Sequence, residues 1–217
     1  MTPFDRFRQQ VQDQPDAVAV VTPYRVASYR KMWSRIERST ARLQGEWGIV
    51  SGDTIVYLGC GHLDALVMYF AAARCGARVL PLEHAALQAA APALVAASGA
   101  RLVLHDDALD IDAARFGTSC RVLSSLIATV CRHRENVTED SALISLLQWP
   151  QAHGAGASAP DLAQLRAASI AQLAARPVPA SPERTVKNAL FDIDVFARIV
   201  LPALLDGQTL HFGAPPA

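Results

Sequence analysis

S-G-D-T-I-V-Y-L-G-C-G-H-L-D-A-L-V-M-Y-F-A-A-A-R-C-G-A-R-V-L-P-L-E, Ser51 to Glu83, is the stretch from which the fold can be read. Gly52-Asp53 makes a turn, Ile55 to Leu58 is a short apolar run that predicts a strand, and Val79 to Leu82 predicts a second. Between them His62 to Cys75 has the length and composition of a helix. Gly59 and Gly61 leave the end of the first strand open, and Gly76 stands where a left-handed helix cap is needed. The helix carries Leu63, Leu66, Val67, Phe70 and Ala73 on one stripe and Ala65, Met68, Tyr69 and Ala72 on the other. Apolarity all round implies burial between a sheet and a further layer, so the stretch is one βαβ unit of a layered α/β domain.

Upstream, Phe4, Phe7 and Val11 predict a short amphipathic helix ending near Pro15. Val18 to Val21 reads as a strand, Pro23-Tyr24-Arg25 as a turn, and Val26 to Tyr29 as the returning arm of a hairpin. Ser28 is a good N-cap for a helix from Tyr29 to Trp47. Its inner stripe is Met32, Ile36, Leu43 and Trp47, while Lys31, Arg35, Arg38 and Arg42 read as a solvated basic face. Downstream, Ala85 to Ser98 predicts a helix stopped by Gly99, and Arg101 to Leu104 a strand. A short strand follows at Arg121 to Leu123, with a helix through Cys131 and a polar connection over Asn136 to Asp140. His105-Asp106-Asp107 lies at a strand's carboxyl end, where open α/β sheets place ligands, but with Asp110 and Asp112 it reads as a solvated acidic cluster.

At 217 residues and 51% hydrophobic content the chain is long enough for one sizeable core. Lys plus Arg and Asp plus Glu are 20 each, so bulk charge offers no attraction to nucleic acid or an anionic membrane. No apolar run is long enough to span a bilayer, and Met1 to Arg6 lacks the apolar core of a signal peptide, so a cytoplasmic location is expected. Cys60, Cys75, Cys120 and Cys131 are then expected as reduced thiols. Cys60-Gly61-His62 and Cys131-Arg132-His133 hold zinc-ligand types, but at a spacing tighter than structural zinc sites use, and no metal is expected. The sequence contains no G-x-S-x-G, H-E-x-x-H or Walker-type lysine loop, and no catalytic residue is assigned.

Gly52-Asp53, Gly76-Ala77 and Pro81-Leu82, set around a strand and a small-residue-rich helix, resemble the N-terminal subdomain of the adenylate-forming superfamily: acyl-CoA synthetases, nonribosomal peptide adenylation domains and luciferases. Pro15 to Val20 and Ser28-Tyr29 fit the opening of the same family. The resemblance implies a three-layer α/β domain with a mostly parallel sheet flanked by helices. It divides the chain into a first subdomain over 1–140 and the start of a second over 141–217.

In that family a strand runs into a loop of the pattern [ST]-S-G-[ST]-T-G-x-P-K-G, whose amides and lysine hold the ATP phosphates. Here the strand Ala142 to Leu147 leads into Gln148 to Ser158, Q-W-P-Q-A-H-G-A-G-A-S. The hydroxyls of the pattern's opening and its lysine are gone, and Trp149 and Pro150 stand where small residues with free amides are needed. Gln148, Trp149, Gly154, Gly156 and Ser158 are therefore read as a degenerate nucleotide loop. Ser158, Pro160 and Asp161 read as the capped start of a helix. After an extended connection over Ala174 to Glu183, Asn188 to Asp192 occupies the family's P-[LM]-[FY]-H segment. Phe191 and Asp192 then mark a possible acyl pocket, Asp192 replacing the histidine and capping a helix from Val195 to Leu205. Phe196, Ile199, Val200 and Leu204 are expected inward, with a late kink at Pro202.

Family members continue for roughly as long again, through a ribose-binding aspartate and a C-terminal domain with the catalytic lysine. The expectation is a non-catalytic, truncated homologue acting as accessory or scaffold protein in an acyl- or aminoacyl-activating pathway, without cofactor. Its partner would be a ligase, a carrier protein or another biosynthetic enzyme. One alternative is one chain of a split ligase, using ATP and Mg; another is a module binding acyl or carboxylate compounds. Thr209 to Phe212 reads as a final strand whose unfinished edge would accept a partner or a second copy.

Overall fold

Phe4 and Phe7 form the inner face of α1 (Pro3–Asp13), and the chain turns at Pro15 into β1 (Val18–Thr22). Residues 3–84, 90–127, 145–148, 166–169, 190–192 and 195–212 are described by the computed structural model. β2 (Arg25–Ser28) pairs antiparallel with β1, and the Thr22 Oγ1 accepts the Tyr24 amide at 3.3 Å across the turn. Ser28 then caps α2 (Tyr29–Ala41), its Oγ accepting from the Lys31 amide at 3.4 Å. The helix widens over Arg42–Glu46 into a π-type turn.

The βαβ unit forms as its sequence predicts. β3 (Thr54–Gly59), α3 (Leu63–Arg74) and β4 (Arg78–Glu83) follow one another, and β3 and β4 pair parallel from Thr54↔Arg78 to Gly59↔Glu83. Every residue of β3 and of α3 is buried. Gly76 adopts φ +69°, the left-handed conformation that ends α3 and that an L side chain enters only with strain.

α4 (Ala91–Ser98) follows a turn at Ala90, and Pro92 sits in its first helical turn, where its missing N–H costs nothing. Residues 85–89 lie outside the described residues. Gly99 ends α4 at φ +61°. β5 (Leu102–His105), a 3₁₀ turn (Ala113–Phe116), β6 (Ser119–Val122) and α5 (Leu123–Ile127) complete this part. The helix expected through Cys131 and the connection 136–140 run outside the described residues.

β7 (Ser145–Gln148) and β8 (Arg166–Ser169) extend the sheet to six strands in the order β6-β5-β3-β4-β7-β8. All neighbours are parallel except β7 and β8, which run antiparallel with Gln148 opposite Arg166. This corrects one expectation: Gln148 closes the strand instead of opening the loop. The helix read from Ser158 begins outside the described residues, and the chain is extended at Arg166–Ser169. A local reading misses β8 because R-A-A-S has no strand propensity; pairing with β7 supplies it.

Alternation along the strands divides the core into two faces. Ile55, Tyr57, Val79, Leu102 and Leu104 face α1, α2 and α3, while Val56, Leu58, Leu80, Leu82 and Val103 pack against Leu94, Val95 and Phe116. Helices on both faces of a mostly parallel sheet make the three layers. The hairpin β1–β2 and the last strand form as read, and their union is the new feature: β9 (Leu210–His211) returns to pair parallel with β1, Val20 opposite Leu210, making a second sheet β2-β1-β9. Its lead-in is a second π-type turn, Phe196–Val200, followed by α6 (Leu201–Leu205). Pro202 has no N–H to give and its ring crowds the carbonyl four residues back; the irregularity falls on the turn before it.

Candidate functional site

The parallel strands β3, β4 and β5 end on one side of the sheet, where this class of fold exposes its ligand sites. There Tyr57, two residues before Gly59 and on the same face, lays its ring along the strand. Its hydroxyl donates to Asp106 Oδ1 at 2.8 Å and accepts the amides of Gly61 at 3.2 Å and His62 at 3.1 Å. Asp106 Oδ2 accepts the Cys60 amide at 2.7 Å. The turn after β3 is thus tied to the turn after β5 by one phenol and one carboxylate. Burial first, then the Asp106 charge, pushes the Tyr57 phenol far above its ordinary value, so it stays protonated and keeps donating.

The acidic cluster of the sequence resolves into separate structural tasks. Asp106 organises this lock, Asp107 accepts the Ser124 amide at 3.1 Å beside α5, and Asp112 Oδ1 accepts the Ala114 amide at 3.1 Å at the 3₁₀ turn. The reading of solvated carboxylates is corrected for Asp106: the backbone amide and the phenol it serves come from a segment about fifty residues earlier. His62 caps α3, its Nδ1 accepting the Asp64 amide at 3.2 Å. Cys60, Cys75 and Cys120 are free thiols; Cys131 and His133 lie outside the described residues.

Phe191 stacks on Tyr57 with centroids 5.7 Å apart and planes 12° from parallel, and the Leu190 carbonyl accepts the buried Tyr69 hydroxyl at 2.6 Å. Asp192 Oδ1 accepts the Val195 amide at 3.1 Å, the capping bond read from its position. Phe196, Val200 and Leu204 are buried as expected, but Ile199 is 39% exposed. The π-type turn rotates it out of register with a 3.6-residue stripe.

β7 leaves the sheet and β8 re-enters it beside Gln148, so residues 149–165 bridge the two strands. Trp149, Gly154, Gly156 and Ser158 lie in that bridge, outside the described residues. Its sequence contains neither lysine nor arginine.

Residues 7–186 match the AMP-binding enzyme family. The chain belongs to that family. No match was found among curated protein sequences. Among solved structures, NpsA of Klebsiella oxytoca is similar in two forms. The artificially fused adenylation-PCP di-domain NpsA-ThdA superposes with a TM-score of 0.69 at 20% identity, covering 100% of this chain and 40% of that one. The NpsA N-terminal subdomain in complex with 3-hydroxyanthranilyl-AMSN gives 0.69 at 22% identity, covering 99% of this chain and 54% of that one. The O-succinylbenzoate coenzyme A synthetase of Bacillus subtilis gives 0.66 at 11% identity, with 95% and 43% covered. At such identities the likeness shows the fold. The chain spans about half the length, or less, of these solved chains. It has the fold of the N-terminal part of an adenylate-forming enzyme, and no helix among the described residues is long and apolar enough to cross a membrane.

Proposed function

We propose that this AMP-binding-family chain is a non-catalytic accessory or scaffold protein of an acyl- or aminoacyl-activating pathway, working in the cytoplasm beside a ligase, a carrier protein or another biosynthetic enzyme. One observation carries the reading. The strands that frame the phosphate loop are retained and paired, β7 beside β4 and β8 beside β7, while residues 149–165 between them have no lysine or arginine and begin with Trp149-Pro150. Phosphate binding needs free amides and a cation at that place; proline offers no amide and the bridge offers no strong cation. A kept frame around a lost site points to a surface retained for docking.

Titration calorimetry of the purified chain with Mg-ATP and with AMP tests this. No heat with either ligand is the expected result. Micromolar binding would overturn it and favour a split ligase, in which a separately encoded chain completes the site. Pyrophosphate exchange on mixing the two chains would establish it. The acyl-binding alternative draws no specific support from Phe191 and Asp192, which are engaged by Tyr57 and by the Val195 amide.

A further inference from the structure

The basic stripe of α2 divides in two. Arg42 is buried, its side chain 6% exposed, and is held by Glu46 and by carbonyls of α5, whereas Lys31 in the first turn is exposed. Among the described residues no carboxylate lies within ion-pair distance of Lys31. It belongs to a run from Arg25 to Arg42 that holds six cations and one carboxylate, Glu37, in a chain whose charges balance at 20 each. That run makes a local positive field which the net charge conceals.

Apolar side chains are exposed at the same place. Tyr24, at the tip of the β1–β2 hairpin, is 91% exposed, and Val26 on β2 is 55% exposed. β2 is the outer strand of its sheet. Ala27 is buried in the core, so by strand alternation its neighbour Val26 points the other way. Two arginines flank this apolar pair and stay accessible. Arg25, 44% exposed, meets Asp64 at 3.3 Å, and Arg30, 61% exposed, meets Asp16 at 2.9 Å. Ser28 joins the strand to the helix, its Oγ accepting the Lys31 amide, so Tyr24 to Lys31 is one continuous stretch of surface. Tyrosine and arginine are the types that protein interfaces concentrate, and exposed cations select and attract a partner of opposite charge. A phosphate backbone would use the cations and leave Val26 uncovered. Two side chains are too little apolar surface to hold a membrane.

We propose that Tyr24, Arg25, Val26, Arg30 and Lys31 form a docking surface for an acidic segment of a partner protein, one that carries apolar side chains among its carboxylates. The surface includes none of residues 149–165, so its test is separate from the nucleotide titration described above.

Fluorescence anisotropy with the full chain tests it. The probe is a labelled glutamate-rich helical peptide with leucines along one face, compared with polyglutamate, oligodeoxythymidine and phosphatidylserine vesicles. The expected result is binding of the leucine-bearing peptide that exceeds binding of polyglutamate and weakens as salt rises. Lys31→Glu should weaken that binding about tenfold by reversing a charge at the contact. Tyr24→Ser combined with Val26→Ser should reduce it to the level of polyglutamate. All three positions are exposed, and an unchanged Tm shows that the variants fold; if the double variant does not, Tyr24→Ser alone carries the comparison. No binding of the peptide, tighter binding of the oligonucleotide or the vesicles, equal binding of polyglutamate, or undiminished affinity in the variants overturns the proposal.

Discussion

The Tyr57 hydroxyl donates to Asp106 Oδ1 at 2.8 Å, joining the end of β3 to the end of β5 across a sequence separation of 49 residues. Because the same oxygen accepts two amides and the same carboxylate accepts a third, the pair fixes the whole turn from Cys60 to His62. Tyr57→Phe strands the Gly61 and His62 amides, and Asp106→Ala strands the Cys60 amide and the phenol. Each substitution is expected to cost about 1–3 kcal/mol in urea denaturation. The double variant should fall short of the sum by at least about 0.5 kcal/mol, since each change already breaks the shared bond. Additive effects would show that the two residues act independently.

Buried phenols make the fold sensitive to alkali. Burial, then Asp206, pushes Tyr29 up to about 12, and burial also raises Tyr57 and Tyr69 well above their ordinary value. Unfolded tyrosine ionises at its ordinary 10.0, so the folded state holds protons that the unfolded state releases. Their stability contribution is complete below pH 10 and declines as pH rises from 10 towards 12. Denaturant midpoints measured from pH 8 to 11 should be flat and then fall. Tyr29→Phe should reduce the fall while lowering stability at pH 8, since it loses its bonds to the Leu204 and Gln208 carbonyls.

Arg42 donates to the Ser125 carbonyl at 2.7 Å and the Leu126 carbonyl at 3.2 Å, and pairs with Glu46 at 3.1 Å. Arg42→Met keeps the apolar stem but leaves these acceptors unpaired, so a loss of about 2–4 kcal/mol is expected in thermal unfolding. Arg42→Lys should recover only part of it, because an ammonium cannot reproduce the guanidinium fork.

Asp192 contributes a cap. Asp192→Ala should destabilise the fold by about 1 kcal/mol in urea titration, and Asp192→Asn by no more than a few tenths. Thermal-shift screening against acyl-CoAs and free carboxylic acids should give the same flat response for Asp192→Asn as for the wild type. A ligand shift present in the wild type and absent in the variant would instead assign Asp192 to a pocket.

The βαβ unit was legible because its signals are local: glycines at the turns, apolar runs of strand length, and a helix apolar on both sides. Ser28 as a cap, Gly76 as a helix end and the loss of the phosphate-loop lysine were legible for the same reason. Arg42 was misjudged because a cation at a helical position reads as solvated unless α5 is known to lie over it. The Tyr57–Asp106 lock left one faint trace, a glycine two residues after the tyrosine on the same strand face, which clears room for the ring. Any side chain at Gly59 would meet that ring.

The sequence by itself determined the layered α/β class, the central parallel pair and the family, since hydrophobic period, turn chemistry and motif spacing act between near neighbours along the chain. Only the tertiary structure decided which distant pieces complete them. β9 reaches back 190 residues to β1, from Leu210 to Val20, β8 becomes a strand by pairing with β7, and Arg42 meets the Ser125 and Leu126 carbonyls of α5. Such contacts are set by how packed elements face one another, and a single side chain carries no local mark of the partner it will meet.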